Sequence, residues 1–155
     1  MGKVVSVNVS RNKGTPKQPV PEIWLVPGRG VQDDAHAAPG DRQVSLLMLE
    51  DIAEAQKRLN SGQGCEAPVK VLELGPGVFA ENITTEGIEL PSLPLGTGLR
   101  VGPEVRLRVS KIGKECPRPC AIFYQTGDCI MPRRGIFAEV IQGGAVKPGD
   151  RIEPD

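Results

Sequence analysis

Glycine and proline recur along the whole of this chain and limit how long any regular element can be. Nineteen glycines and 15 prolines make up 34 of the 155 residues, about twice their usual share. Because both residues favour turns and interrupt helices, their spread predicts many short strands joined by tight turns. The five aromatic residues leave valine, leucine and isoleucine to fill the core.

Alternation of apolar and polar residues marks the strands. It is clearest at Val105–Ile112, where three apolar residues alternate with Arg106, Arg108 and Ser110. This pattern buries one face and leaves the two arginines on a solvated face. Further strands are predicted at residues 3–9, 22–26, 69–74, 95–102, 136–141 and 146–152. Such regularly spaced short strands predict a mostly β fold, a closed or partly closed β-barrel, because closure removes exposed sheet edges.

One segment has the spacing of an amphipathic helix. Apolar residues recur at helical intervals from Leu46 to Leu59, which predicts one main helix over about 46–59, packed on the barrel. Ser45 precedes it as the expected N-cap residue. Elsewhere we expect only short helical turns, and residues 1–155 are predicted to form a single domain because the chain is long enough for one core.

Charge and hydropathy argue against two classes of partner. The 19 basic and 19 acidic residues cancel, whereas a general nucleic-acid binder is basic overall. No apolar run approaches the roughly 20 residues of a membrane span, and no secretory signal pattern is present. We therefore expect a cytoplasmic protein that binds neither nucleic acid nor a membrane.

The most informative chemistry lies in residues 111–135, which contain three of the four cysteines. Cys120 follows Pro-Arg-Pro and has Lys114 and Arg118 nearby in sequence. Nearby positive charge favours the thiolate form of cysteine. A thiolate in such a setting suits a nucleophile, a sulfur carrier or a soft-metal ligand.

Plainer interpretations of the cysteines stay open. Cys129 lies in an apolar context and would often simply pack in the core. A structural zinc site would need four ligands, usually as two close pairs, and only Cys116 and Cys120 form such a pair. A disulfide framework is not expected in an intracellular chain of this size. We expect reduced thiols.

Three separated motifs stand at residues 30–47, 77–88 and 118–120. Their order and spacing resemble the MOSC domain, the family named for the C-terminal part of molybdenum cofactor sulfurases. The likeness is to its compact, stand-alone prokaryotic members and extends to residues 127–135 and 143–149. The resemblance implies a barrel-like fold with few helices and a cleft for the molybdenum cofactor, a pterin dithiolene with a terminal phosphate.

The resemblance also implies a set of site residues. Cys120 matches the family's cysteine, which in relatives is proposed to carry sulfane sulfur or to ligate molybdenum, so it is the predicted catalytic residue and metal ligand. Arg42 and Arg118 are predicted to hold the cofactor's phosphate, with Lys114 behind them. The other candidate cofactor contacts are polar residues of the first two motifs: His36, Asn82, Thr84 and Thr85.

This chain departs from the family pattern where relatives carry glycine or histidine. The first motif has Asp33 where glycine is expected, and Asp41 and Pro117 stand where histidine is frequent. Fewer imidazoles weaken a histidine-driven acid–base mechanism but leave the thiol and the cations in place. A loop-stabilising hydrogen bond for His36 and a turn at Thr84–Thr85 stay open beside cofactor contact.

The implied function is binding of the molybdenum cofactor by a cofactor or sulfur carrier in molybdoenzyme maturation. Its partner would be a molybdoenzyme or a cofactor-biosynthesis protein. One alternative is a molybdenum-dependent reductase of N-hydroxylated compounds with external electron donors; another is a non-catalytic β-barrel interaction domain with a redox-sensitive cysteine. The sequence has no flavin or ferredoxin motif, which favours the carrier. No lysine stands in a Schiff-base context, so pyridoxal phosphate is not expected.

Overall fold

The structure, a computed structural model, describes residues 2–11, 17–35, 37–60, 75–112 and 134–155. Its elements in chain order are β1 (Gly2–Val9), β2 (Gln18–Val20), β3 (Ile23–Val26), β4 (Gly30–Val31), β5 (Val44–Met48), helix α1 (Leu49–Asn60), β6 (Ile83–Glu86), a 3-10 helix (Leu90–Ser92), β7 (Gly98–Val101), β8 (Val105–Ile112), β9 (Ile136–Gln142), β10 (Gly144–Val146) and β11 (Arg151–Pro154). The strand predicted at 69–74 lies outside the described residues.

Seven of the described strands close into a barrel. Their order is β11-β7-β8-β9-β5-β6-β1, and β1 pairs back onto β11. Within this described part β5 and β6 run parallel, whereas the other neighbours in the barrel are antiparallel. Strand β2 extends the sheet beyond β1, and a second sheet of order β10-β3-β4 contacts β8 and β9. The predicted mostly β barrel is confirmed.

Strand β8 shows how the sequence builds the barrel wall. Val105, Leu107 and Val109 are at most 1% exposed and join the main hydrophobic core, whose buried members among the described residues are aliphatic side chains and Met48. Arg106 and Arg108 point outward, and Arg108 contacts Glu139 of β9 at 2.7 Å. The predicted solvated arginine face is confirmed.

The predicted helix is present, but it begins at Leu49 and not at Leu46. The preceding residues Val44–Met48 form β5, in which every residue is buried. Leu46 belongs to the barrel interior, whereas Leu47 belongs to a second core outside the barrel wall. Because both faces of this strand are covered, Leu46, Leu47 and Met48 form a continuous apolar run that merges with the helical spacing that follows. The expected N-cap role of Ser45 is therefore wrong.

The turn that stayed open as an alternative for Thr84–Thr85 is not formed, because both residues lie in β6, between β5 and β1. Ile83 packs in the barrel interior, and both threonines are fully buried. Residues 75–82 cover the outer face of this strand, so polar side chains there are shielded from solvent. Helix α1 packs over the same wall through Ile52 and Ala55. In the described part of the chain no helix is long and apolar enough to span a bilayer.

Gly30 and Gly40 have similar backbone angles and make a matched pair for testing how closely Gly30 packs against Gln43. Gly30 has a φ of +119°, and a Cβ added there would clash with the backbone carbonyl oxygen of Gln43. Gly40 has a φ of +128° and open space around it. We expect Gly30→Ala to lower the free energy of unfolding by about 1–3 kcal/mol more than Gly40→Ala. Urea denaturation measures both, and equal losses would contradict the close approach.

Candidate functional site

A cluster of buried side chains lies on the outer face of β1, β5 and β6. It consists of Ser6, Asn8, Ser45, Glu81, Asn82 and Thr84 and is called here the buried polar cluster; each member is at most 7% exposed. The cluster contains three polar residues of the second sequence motif, Glu81, Asn82 and Thr84, and joins them to β1 and β5. Buried polar groups are costly unless paired, so their hydrogen bonds decide what they can do.

Asn82 connects three chain segments. Its side-chain oxygen accepts the backbone N–H of Ser45 at 3.0 Å, and its side-chain nitrogen donates to the carbonyl of Asn8 at 3.2 Å. The backbone N–H of Asn82 donates to the hydroxyl of Ser45 at 2.9 Å. The carboxamide therefore holds the starts of β5 and β6 against the end of β1.

Thr84 and Thr85 lie on opposite faces of β6. The Thr84 hydroxyl donates to a carboxylate oxygen of Glu81 at 2.7 Å and accepts from the side chain of Asn8 at 3.1 Å. Thr85 pairs in register with Val4 and Met48, both in the barrel interior, and its hydroxyl finds no hydrogen-bond partner within the described residues. Neither threonine reaches solvent.

Glu81 is a fully buried carboxyl group. One of its oxygens accepts the Gly77 N–H at 3.0 Å and the Thr84 hydroxyl, while the other has no partner in the described part of the chain. Burial raises the pKa of Glu81 above its ordinary value, and the two hydrogen bonds offset this only in part. Burial therefore shifts the balance of this side chain towards its protonated, neutral form.

A buried ion pair lies beside this cluster. Lys17 Nζ is 2.8 Å from a carboxylate oxygen of Asp34, and both side chains are inaccessible to solvent. Burial by itself would raise the pKa of Asp34, but the hydrogen bond and charge of Lys17 outweigh it and hold that pKa below its ordinary value. The Ser10 N–H also donates to Asp34 at 2.9 Å, and the Lys17 N–H donates to the Gly77 carbonyl at 2.7 Å. Three segments of the chain therefore meet at this point.

Arg42 is an exposed cation against the barrel wall. Its guanidinium carbon lies 5.9 Å from the centroid of the Phe137 ring, and it makes no ion pair within the described residues. The neighbouring carbonyl of Asp41 accepts the Ser110 hydroxyl at 2.6 Å. Ile112 and Ile136 pair in register and are the last residue of β8 and the first of β9. Arg42 is thus fixed beside the two strands that flank the Cys120 segment in the sequence.

Two of the predicted site residues join the buried polar cluster, and a third lies next to it. Asn82 and Thr84 are members of the cluster. Arg42 lies over Phe137, and Phe137 is the register partner of Ser45 across β9 and β5. The exposed guanidinium therefore lies on the same outer side of the barrel as the buried groups.

Of the remaining predicted site residues, Thr85 faces the barrel interior. The last four, His36, Lys114, Arg118 and Cys120, lie outside the described residues, as do Cys65, Cys116 and Cys129. In the described ranges no group of three or more histidine, cysteine, aspartate or glutamate residues is arranged to hold a metal ion.

Arg134, a cation near the end of the cysteine-containing segment 111–135, is already paired with two carboxylates. Its Nε lies 2.9 Å from Asp51 and its terminal nitrogen 2.7 Å from Glu89. These two hydrogen-bonded carboxylates raise the pKa of Arg134 above its ordinary value. The side chain joins the start of β9 to the first turn of α1, and its charge is neutralised there.

Sequence reasoning missed Glu81 and the Lys17–Asp34 pair. Glu81 lies inside the second motif, so its place beside Asn82 was the available signal. Lys17 lies in a polar, proline-containing segment that is typical of a solvated loop. Its burial depends on Asp34, 17 residues away, and no local pattern identifies that pairing.

Comparison with known proteins identifies the family. The MOSC domain model matches residues 32–153, most of the chain, and the protein therefore belongs to the MOSC domain family. No curated protein gives a significant match.

Solved structures share the fold. The YuaD protein from Bacillus subtilis is 18% identical, with a TM-score of 0.70 over 98% of this chain and 94% of that one. YiiM from Geobacillus stearothermophilus is 19% identical, with a TM-score of 0.72 over 100% and 75%. YiiM from Escherichia coli is 20% identical, with a TM-score of 0.68 over 100% and 70%. Sequence identities of 18–20% show that these proteins share the fold alone with this chain.

Glu81→Gln tests the buried carboxyl group. The folded pKa of Glu81 is raised above its ordinary value of 4.5, so its contribution to stability is fully present below the unfolded pKa and is lost as pH rises through the folded pKa. We expect the free energy of unfolding of the wild type to fall relative to that of Glu81→Gln as pH rises above about 4.5. Urea denaturation across this pH range measures the difference.

The control is Glu86→Gln, which changes a partly exposed carboxylate two residues beyond Thr84 on the same strand. Its difference from the wild type should vary less with pH. Parallel pH profiles for the wild type and Glu81→Gln would show that the buried group does not retain its proton.

Proposed function

We propose that this protein binds the molybdenum cofactor and carries the cofactor, or sulfur destined for it, through Cys120. The observation that supports this most strongly is its membership of the MOSC domain family, whose model matches residues 32–153 and so includes Cys120. The family is commonly related to this cofactor. The partner would be a molybdoenzyme or a protein of cofactor biosynthesis.

Arg42 fits a phosphate-binding role in this proposal. It is exposed and has no carboxylate partner among the described residues, so its guanidinium is free to bind an anion. Its cation–π contact with Phe137, 5.9 Å from the ring centroid, limits the conformations of a long side chain, which reduces the entropy lost on binding. A planar guanidinium also matches phosphate geometry with two parallel hydrogen bonds. Arg118 and Lys114 would add charge from the Cys120 segment.

Asn82 and Thr84 fit a supporting role better than direct contact. Their polar side-chain atoms are used inside the buried polar cluster, and contact with a cofactor would break those bonds. We propose that they fix β5 and β6, and so the wall on which Arg42 rests. Thr85 has an unpartnered hydroxyl within the described residues, but the aliphatic barrel interior around it does not suit a charged ligand.

The thiol would supply the reactive atom. When bound, the molybdenum cofactor provides a redox-active metal with dithiolene sulfur ligands. Cys120 as thiolate is a soft ligand for such a metal, and as a persulfide it would hold one transferable sulfur atom. The arginine and lysine residues near it in the sequence would stabilise either anionic form.

Cys120→Ser tests the ligand. Because an alcohol is a poor ligand for a soft metal, we expect protein purified from a cofactor-producing host to lose its molybdenum on this change. Metal analysis and pterin fluorescence measure molybdenum and pterin per chain. Cys129→Ser is the control and should retain both. Equal molybdenum in Cys120→Ser would contradict the role, and one zinc ion per chain in the wild type would favour the structural-metal interpretation.

Arg42→Ala tests the phosphate contact. A charge-assisted hydrogen bond contributes about 1.5–3 kcal/mol, so cofactor affinity should fall by about tenfold to a hundredfold, and salt should weaken binding to the wild type. The matched control is Arg108→Ala, since Arg108 is also an exposed arginine of the barrel wall but is paired with Glu139. Similar affinities for Arg42→Ala and the wild type would exclude the contact.

A turnover assay distinguishes the carrier function from the reductase function. Cofactor-loaded protein would be supplied with an N-hydroxylated base and a flavin–ferredoxin electron chain. The carrier proposal expects no Cys120-dependent reduction, and robust Cys120-dependent turnover would replace it with the reductase alternative.

A further inference from the structure

The outer face of β7 and β8 brings two arginines directly opposite each other. Arg100 and Arg106 are register partners across the two antiparallel strands, and both side chains point to solvent. Like charges in directly opposed positions repel and destabilise a strand pair. This arrangement therefore calls for an anion between the two guanidinium groups.

In the structure the side chain of Asp155 supplies that anion. One carboxylate oxygen lies 3.2 Å from Arg100 and the other lies 2.5 Å from Arg106. The backbone N–H of Asp155 donates to the Gly98 carbonyl at 2.8 Å, which holds the carboxylate above β7. A single carboxylate thus bridges two guanidinium groups with one oxygen each, a geometry that arginine pairs use to recognise oxyanions.

Two facing guanidinium groups can bind a dianion with more oxygens than one carboxylate offers. Two guanidinium groups carry two positive charges, and the Asp155 side chain supplies one negative charge. A second acid, Glu153, forms a longer ion pair with Arg100, at 3.9 Å. Phosphate or a phosphate monoester would match both charges and would offer more acceptor oxygens than Asp155.

Free space lies beside the two arginines. A cavity of about 360 Å³ is lined by both arginines together with Glu104 and Gln142. The Gln142 side chain donates to the backbone carbonyl of Glu104, and a Glu104 carboxylate oxygen accepts the Ala145 N–H at 3.3 Å. These contacts fix the cavity wall beside the two arginines. Asp155 does not line this cavity, so a phosphate group that replaces its carboxylate between the two arginines would leave the cavity for the substituent of a monoester.

We propose that Arg100 and Arg106 form a binding site for phosphate or a phosphate monoester, and that Asp155 occupies this site as an internal competitor. Binding of the ligand displaces the Asp155 side chain and keeps both guanidinium groups neutralised. This site is separate from the proposed cofactor site, because Arg106 pairs with Gln142 at the far end of β9, whereas Arg42 lies over Phe137 near its start.

Isothermal titration with inorganic phosphate tests the proposal on the intact chain. Asp155→Asn removes the competing charge and should bind phosphate about tenfold more tightly than the wild type. Adding Arg106→Ala to Asp155→Asn should abolish this gain. The matched control adds Arg108→Ala to Asp155→Asn and should keep it, because Arg108 is the next outward residue of β8 and is paired with Glu139. Circular dichroism confirms that each variant is folded.

Other ligands and variants complete the test. Phenyl phosphate should bind Asp155→Asn as inorganic phosphate does, whereas acetate should bind at least about tenfold more weakly. Arg42→Ala should leave phosphate binding unchanged, which distinguishes this site from the proposed cofactor site even if the latter proves wrong. Phosphate binding that is no tighter in Asp155→Asn than in the wild type, or that survives Arg106→Ala, would overturn the proposal.

Discussion

The parallel pairing of β5 with β6 requires a covering segment at the starts of both strands, and the buried polar cluster supplies hydrogen bonds to the backbone groups buried there. Parallel neighbours cannot be joined by a tight turn, so the chain leaves β5 through α1 and enters β6 from residues 75–82 on the outside of the barrel. These residues cover the starts of both strands and shield their backbone groups from water. Asn82 then bonds the backbone of Ser45 and Asn8. Losing such a partner would leave buried groups unsatisfied, which costs about 1–3 kcal/mol for each group.

The same region contains ionisable groups whose burial is unfavourable in itself. Lys17 and Asp34 offset their desolvation by pairing with each other and with Ser10. Removing one partner of a buried pair typically costs about 3–5 kcal/mol, although a well-packed apolar pair would often be as stable. We infer that the pair specifies how the segments before β2 and after β4 meet residues 75–81. A misplaced segment would leave a charge buried alone, so the pair disfavours other arrangements.

The sequence allowed the barrel to be predicted where one face of a strand is exposed to solvent and the other is buried. In β8 that contrast placed the side chains correctly, since Leu107 faces the interior and its neighbours Arg106 and Arg108 face solvent. It failed at β5 and β6, where both faces are covered. There the apolar run of β5 merges with the helical spacing that follows, and the pattern at Thr84 and Thr85 does not distinguish a turn from a ligand contact. Coverage of a strand by a distant segment is a tertiary effect that local patterns do not contain.

The candidate site was predictable by residue type more than by position. The motif identifies Arg42 as a candidate because it is a cation. Its position depends on two tertiary contacts: its cation–π contact with Phe137 and the hydrogen bond from Ser110 to the Asp41 carbonyl. Asn82 and Thr84 come from an equally recognisable motif and yet are enclosed by protein. A motif therefore identifies residues that a fold needs, without separating those that bind a ligand from those that hold the scaffold. Solvent exposure and free hydrogen-bonding capacity distinguish the two roles. On both criteria Arg42 is the best suited to contact a ligand among the predicted site residues that the structure describes.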